Sequence, residues 1–550
     1  MDKQPITLEL IKGAERLLGA DYTDAERSQM LENLDGQVAA IAARRAVRLE
    51  NADPPATRFD PRLPGFDMPI AASELRTSKL DIPLPQSDDD IAFAPLTCLS
   101  HWLETRQISS ERLTSLYLDR IDRFAPDLEC FALVTRKLAQ EQAIAADERI
   151  GEGKRLGPLD GVPYGLKDII DTAGIATEWG AEPFQGRTPK ANAKVTQLLA
   201  DAGAVLLGKT AVGALAYGDI WNRGICRNPW NLNEGSSGSS AGSASAVAAG
   251  LCGFAIGTET LGSIVSPSER CGTTGLRPTF GRVSRTGAMA LCWSLDKIGP
   301  ICRGVEDTGI VLSVLNANDE SDLGSIAAPF VFDAQKAHDG LRIGYLEEAF
   351  GDGATKSDHD ALDAAKELAG TVQIVSLEDL PYNSLLNILF AEASAAFEEI
   401  TLDNRDDLLT WQDDAAWPNT FRKARFLSAV DHVQLDRLRF RAMRAVDRMM
   451  KDIDILIGPY ETGPMLVVSN FTGHPCLHMR AGFENLATRA NPRLSIDQID
   501  TGTAHDGPEF SVPRGISLWG NLFEEEKLLR FGIALEKRLN VASERPVFLR

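Results

Sequence analysis

The chain is short of positive charge. Its 550 residues carry 57 Lys and Arg against 78 Asp and Glu, a formal net charge of −21. A surface of that sign repels phosphate backbones, and no long Lys/Arg block offsets it, so nucleic-acid binding is not expected. Apolar runs of spanning length are also missing. The longest weakly polar stretch, about 241–265, is full of Ser, Gly and Thr and carries Glu259. A membrane helix wants about 20 mostly apolar residues, so this stretch reads as protein interior and no membrane contact is expected. The opening Met1-Asp2-Lys3-Gln4-Pro5 has no basic segment leading into an apolar one, so no secretory signal is visible. Cys98, Cys130, Cys226, Cys252, Cys271, Cys292, Cys302 and Cys476 form no C-x-x-C pair. That disfavours a disulfide or metal framework and favours buried free thiols in a reducing compartment, hence a cytoplasmic protein. His474 and His478 are spaced H-x-x-x-H, but Pro475 lies between them and no nearby acid in sequence completes a zinc motif. They read as a structural loop near a site rim, and no metal or cofactor is expected.

What is present is ordinary globular composition, 44% hydrophobic and 25% charged, over a length that fits two to four domains or one large sheet. Residues 1–50 predict a helical extension. Thr23 or Asp24 caps a helix whose Met30, Leu34, Val38 and Ile41 fall on one stripe, which must pack on its own core or on a second protomer as a homodimer. Residues 51–90 hold Pro54, Pro55, Pro61, Pro64, Pro69, Pro83 and Pro85 and read as an extended linker over the surface. Residues 91–550 read as one catalytic domain. Helical patterns at 110–124 and 137–150 alternate with strand patterns at 130–134, 204–207 and 252–256. Longer helices are expected at 385–402 and 421–450, then a strand at 453–457. Such alternation predicts an α/β fold.

Three motifs compete for the chemistry. Gly203 to Thr210 fits G-x-x-x-x-G-K-T, but Ala204, Val205, Leu206 and Leu207 read as a buried strand ending at a Gly-Lys-Thr turn. A phosphate loop needs exposed N–H groups there. Gly238-Ser239-Ser240-Ala241-Gly242 fits G-x-S-x-G with Ser240 central, but that elbow requires a strand immediately before the serine, and Asn228 to Ser237 reads as a loop. The third is a constellation: Lys167 in an apolar run, a Gly238-Ser239-Ser240 segment opening a helix, and Ser263 in the Gly257-Thr258-Glu259-Thr260-Leu261-Gly262-Ser263 turn.

With its flanking marks, this constellation resembles the amidase-signature family. The marks include Gly157-Pro158-Leu159-Asp160, Asn228-Pro229-Trp230, Gly275-Leu276-Arg277-Pro278-Thr279 and Asp296-Lys297-Ile298-Gly299-Pro300. The resemblance covers at least 95–320. It implies an α/β/α fold, a large mixed sheet covered by helices, and hydrolysis of a small-molecule amide without metal or organic cofactor. By position, Lys167 is the implied base, Ser239 the bridging serine (typically held by a cis peptide) and Ser263 the nucleophile, 24 residues further on. Backbone N–H groups of Thr260, Leu261, Gly262 and Ser263 are the implied oxyanion donors, and Ala216 and Tyr217 the implied acyl-pocket lining.

The chemistry stands beside the resemblance. A serine hydroxyl is a poor nucleophile until a base takes its proton. A lysine serves only when neutral, so burial must lower its pKa by about 3 units, worth about 4 kcal/mol. Three positions depart from the family pattern. Leu261 replaces a glycine in the oxyanion turn, Glu259 an aspartate, and Val265 an arginine. No Asp–Arg brace across the loop is then expected. The alternative within the family is the A-type glutaminase subunit of a tRNA-dependent amidotransferase, against which the extra N-terminal helices speak. The alternative outside it is a non-catalytic scaffold. Trp411 and Trp417 read equally as substrate contacts or helix packing.

Overall fold

The computed structural model describes residues 5–489 and 507–547. Eleven strands form one mixed sheet: β1 (Phe131–Val134), β2 (Pro163–Lys167), β3 (Val205–Thr210), β4 (Phe254–Glu259), β5 (Thr274–Arg277), β6 (Lys297–Cys302), β7 (Arg342–Tyr345), β8 (Thr371–Ile374), β9 (Ile455–Pro459), β10 (Cys476–Ala487) and β11 (Glu509–Gly520). Their order across the sheet is β8-β7-β9-β11-β10-β5-β6-β4-β2-β3-β1. Strands β3, β2 and β4 run parallel, β6 pairs antiparallel to β4, and β5 pairs antiparallel to β6. Every residue of β2, β3, β4 and β6 is buried. Continuous apolar runs such as Ala204 to Leu207 mark strands covered on both faces.

The expected α/β architecture is present. The helix expected at 110–124 runs Ser110–Leu128, and the one expected at 137–150 runs Arg136–Gly151. Two readings need correction. The strand through Ala204 to Leu207 does not stop at a turn but continues through Gly208, Lys209 and Thr210. The long segments also break: Leu386–Ala396 ends at Phe397 before Glu398–Leu402, and Trp417–Ala424 is separate from Ala429–Met450. Periodicity continues across both breaks, so the pattern alone does not mark them.

At the N-terminus, α1 (Leu8–Leu18) packs on α2 (Asp24–Arg45). Thr23 caps α2 in a full capping box with Glu26. Arg27 joins Glu15 of α1 with two 2.8 Å hydrogen bonds. The expected stripe does not bury itself in this chain: Val38 and Ile41 are exposed. All eight cysteines are free and buried, and no helix among the described residues is long and apolar enough to cross a membrane.

Candidate active site

The floor of the site is built by neighbouring strands. Strand β2 ends on Lys167 and its parallel neighbour β4 ends on Glu259. The helix Ala241–Ala248 begins just after Ser239 and Ser240. Lys167 is completely buried, and its Nζ lies 2.9 Å from Ser239 Oγ, 2.9 Å from Ser240 Oγ, 2.8 Å from Thr258 Oγ1 and 3.3 Å from the Thr258 carbonyl. Burial pushes its ammonium well below the ordinary lysine range, against the opposing pull of Asp296 and Glu259.

The two serines differ in what their hydroxyls already do. Ser240 Oγ donates to the Thr258 carbonyl at 3.0 Å and accepts from the Thr258 N–H at 3.1 Å. Its remaining acceptor site is the one Lys167 fills, because a hydroxyl has one donor and two acceptor positions. A neutral amine has two N–H donors and one lone pair. Ser240 Oγ and the Thr258 carbonyl can only accept from it, so its lone pair is left for the hydroxyl of Ser239 or Thr258. Ser239 follows a cis Gly238–Ser239 peptide. A short strand, Asn231–Gly235, does precede this segment, contrary to the loop reading. It pairs only with Arg227–Asn228 and is separated from Ser240 by four residues, so it does not form an elbow.

Ser263 follows β4 across a turn and is 7% exposed. Gly262 takes the left-handed conformation there, φ +81°. Leu261 does not need it, so its Cβ is tolerated and the side chain packs on the core. The expected loss of a loop brace is overturned. Glu259 Oε2 accepts the N–H groups of Ile264 and Val265 at 2.8 and 3.0 Å, directly after Ser263. Glu259 Oε1 pairs with Arg277 at 2.7 Å and accepts from Asn470 at 2.9 Å. Arg277 in turn holds Ser469 Oγ and the His474 carbonyl. Burial alone would raise the Glu259 pKa, but the Arg277 charge and hydrogen bond hold it at about 2. The brace is therefore an acid–Arg pair supplied from β5 instead of from position 265. On the turn's other side, Thr260 Oγ1 donates to Asp296 Oδ1 at 2.6 Å.

A cavity of about 370 Å³ reaches this floor at Thr258 and Thr260. Ala216 lines it. Tyr217 instead packs against Trp411 and Trp417, each ring 5.1 Å away, and Trp417 donates to the Leu215 carbonyl. Trp411 and Trp417 thus act in packing. Lys297 lines the cavity too, and burial first, then Arg277, lowers it to about 7.

The rival motifs close. Lys209 is fully buried, donating to the Ile170 carbonyl and to Thr177 Oγ1. His478 lies within β10 and not in a loop, and it has a nearby acid: Nε2 is 3.2 Å from Glu269 Oε2 and Nδ1 2.9 Å from Ser517 Oγ. His474 is buried, which lowers its pKa to about 3, and its ring bonds Thr472. Sequence reasoning missed Thr258, Arg277 and Asp296 as supports of the site. All three stand in the quoted motifs, so their signal was present without its meaning.

The family model for amidases matches residues 112–529. The chain belongs to the amidase family. The A subunit of a glutamyl-tRNA(Gln) amidotransferase from Marinomonas sp. is 31% identical over 465 residues, covering 79% of this chain and 94% of that protein. Its counterpart from Methylococcus capsulatus is 41% identical over 293 residues, covering 51% of this chain and 60% of that protein. The peptide amidase of Stenotrophomonas maltophilia superposes with TM-score 0.68 at 26% identity, covering 82% of this chain and 98% of its own. A bacterial aryl acylamidase of the amidase-signature enzymes has the same fold, with TM-score 0.68 at 20% identity, covering 83% of this chain and 99% of its own. This amidase is an enzyme that hydrolyses amide C–N bonds.

Proposed function

We propose that this amidase cleaves a small-molecule carboxylic amide through an acyl-enzyme on Ser263, with Ser239 as proton relay and Lys167 as base. The observation that carries the reading is the hydrogen-bond balance at Lys167: both N–H donors of the neutral amine have acceptor-only partners, which leaves its lone pair for a hydroxyl, Ser239 Oγ at 2.9 Å or Thr258 Oγ1 at 2.8 Å, and of the two Ser239 is the one 24 residues from Ser263. Ser263 Oγ attacks the amide carbon and passes its proton to Ser239, whose own proton moves to Lys167. The tetrahedral oxyanion meets backbone N–H groups of the Thr260–Ser263 turn. The C–N bond breaks as Lys167 returns the proton through Ser239 to the leaving amine, and water then hydrolyses the ester. None of these steps calls on a metal or organic cofactor. The eight buried free thiols support a cytoplasmic setting.

The names of the curated relatives favour a second reading, in which the chain is the A-type glutaminase subunit of an amidotransferase. The test is a hydrolysis screen over aryl, alkyl and peptide amides and glutamine, with fluorophosphonate labelling of the wild type and Ser263→Ala. Turnover by the chain alone and labelling lost in the variant are expected. Glutaminase activity appearing only with added partner subunits would move the assignment to the second reading. Absence of labelling and of all turnover would leave a non-catalytic scaffold.

A further inference from the structure

The cavity that reaches Thr258 and Thr260 has a wall from an unexpected place. Pro54, Pro55, Thr57 and Phe59 line it, and they lie in the proline-rich stretch outside the 112–529 family match. Composition predicts a linker running over the surface there. The stretch is instead fastened at both ends of the cavity. At one end the Asn51 side-chain amide pairs with both polar groups of the Ala290 backbone: Nδ2 donates to the carbonyl at 2.8 Å, and Oδ1 accepts the N–H at 2.9 Å. At the other, Arg58 donates to the Leu323 carbonyl at 3.0 Å, and the Phe59 ring lies edge-on to Phe280 at 5.1 Å, beneath the Arg439 guanidinium at 3.4 Å.

Between these anchors the chain needs no regular structure to stay in place. Proline fixes φ near −65°, so Pro54-Pro55 is already extended before it docks. The Asn51 anchor also connects to the reaction floor. Ala290 precedes Leu291 and Cys292, whose N–H groups bond Asp296 Oδ2, and Asp296 Oδ1 holds Thr260. What Ala52, Pro54, Pro55 and Phe59 present to the cavity is mostly hydrocarbon, and the charged residues of the segment that also line it have partners, Glu50 with Arg48 and Arg58 with the Leu323 carbonyl. The arginines further along its wall are engaged by carboxylates: Arg187 with Asp171, and Arg285 with Asp322.

We infer that residues 50–59 are a specificity-determining wall of the reaction cavity, admitting amides whose group at this end is compact and apolar. The inference rests on the proposed function, since a size filter is meaningful only where Ser263 reacts.

The test uses the full chain and three proteins: wild type, Asn51→Ala, which removes the anchor, and Pro54→Gly/Pro55→Gly, which loosens the span and touches no hydrogen bond named above. Ser263 labelling rates are measured with a compact and a bulky fluorophosphonate, and kcat/KM with anilides enlarged on either the acyl or the amine side. Wild type is expected to prefer the compact probe. Both variants should raise the bulky-to-compact ratio at least about ten-fold. Labelling with an unchanged ratio in both variants would overturn the wall alone. No labelling of the wild type would overturn the proposed function and the wall with it.

Discussion

Two buried arrays in this amidase hold the residue types of a hydrolytic site. One is Lys167 with Ser239 and the turn carrying Ser263. The other joins Ser517, His478 and Glu269 across β10 and β11, where His478 and Ser517 are directly opposed. By residue type the second is the more familiar, a Ser–His–acid line. Burial does not separate them, because Lys167, Ser239, His478 and Ser517 are all at most 1% exposed. Nearness to the cavity does. Its walls hold neither set of side chains, but they include Thr258, which bonds Lys167, and Thr260, three residues before Ser263, and no residue bonded to the second array. Glu269 Oε2 is also shared with the Gly515 N–H at 2.6 Å, and a Cβ on Gly515 would collide with His478 Nε2. The second array fastens β10 and β11 to the helix Val265–Cys271.

The largest effect expected from breaking this contrast is at Lys167. Lys167→Ala should lower kcat/KM by about a thousand-fold, in the middle of the range for losing an acid–base group. The pH profile sharpens the point. Burial lowers the Lys167 pKa, so the base is neutral over a range where an ordinary lysine is charged. Activity should therefore rise through an acid limb lying well below 10.5, the ordinary lysine value, and remain on its plateau above it. The limb should vanish in the residual activity of Lys167→Ala. An acid limb near the ordinary lysine value would show that Lys167 is not the desolvated base.

How much of this was legible follows from where information is local. Lys167, Ser239 and Ser263 stand in short motifs, and the 24-residue interval from Ser239 to Ser263 separates Ser239 from Ser240. The structure adds a separate reason, the full hydrogen-bond complement of Ser240. The apolar halves of the buried strands were also legible, Val205-Leu206-Leu207 in β3 and Phe254-Ala255-Ile256 in β4, while their polar ends at Lys209 and Glu259 were not. What failed was long-range. The missing arginine at 265 suggested an unbraced loop, yet Arg277, 18 residues from Glu259, fills that role. Pairing across a sheet leaves no trace in spacing. The Asn51 contact to Ala290 spans 239 positions, and a proline-rich composition reads the same whether the chain wanders or docks.

The next effect tests that brace. Glu259→Gln leaves Arg277 buried without its anion, which costs on the order of 3–5 kcal/mol, and loosens the N–H contacts of Ile264 and Val265. The sign with pH is fixed by a depressed carboxylate. Glu259 falls from 4.5 to about 2 on folding, so its stabilisation is complete above pH 4.5 and disappears as pH falls through about 2. Urea midpoints followed from pH 6 to pH 2 should fall less steeply in Glu259→Gln than in wild type, with kcat reduced at neutral pH. Parallel slopes would mean that the pair does not carry the acid sensitivity of the turn.

The smallest effect falls on the sealed array, and its value is as a control. His478→Ala removes a ring whose two nitrogens hold Ser517 and Glu269. Leaving those buried partners unsatisfied costs about 1–3 kcal/mol, seen as a lower urea midpoint. The rate should hardly respond: kcat/KM and its acid limb should stay within about two-fold of wild type, because no proton of the reaction passes through β10. Ser517→Ala should behave alike and keep fluorophosphonate labelling at Ser263. A loss of rate without a loss of stability in His478→Ala would invert the comparison. It would mean that the strand pair communicates with the turn through Cys476, which precedes His478 on β10 and pairs with Arg277 on β5, making the more familiar-looking array a positioning element for the other.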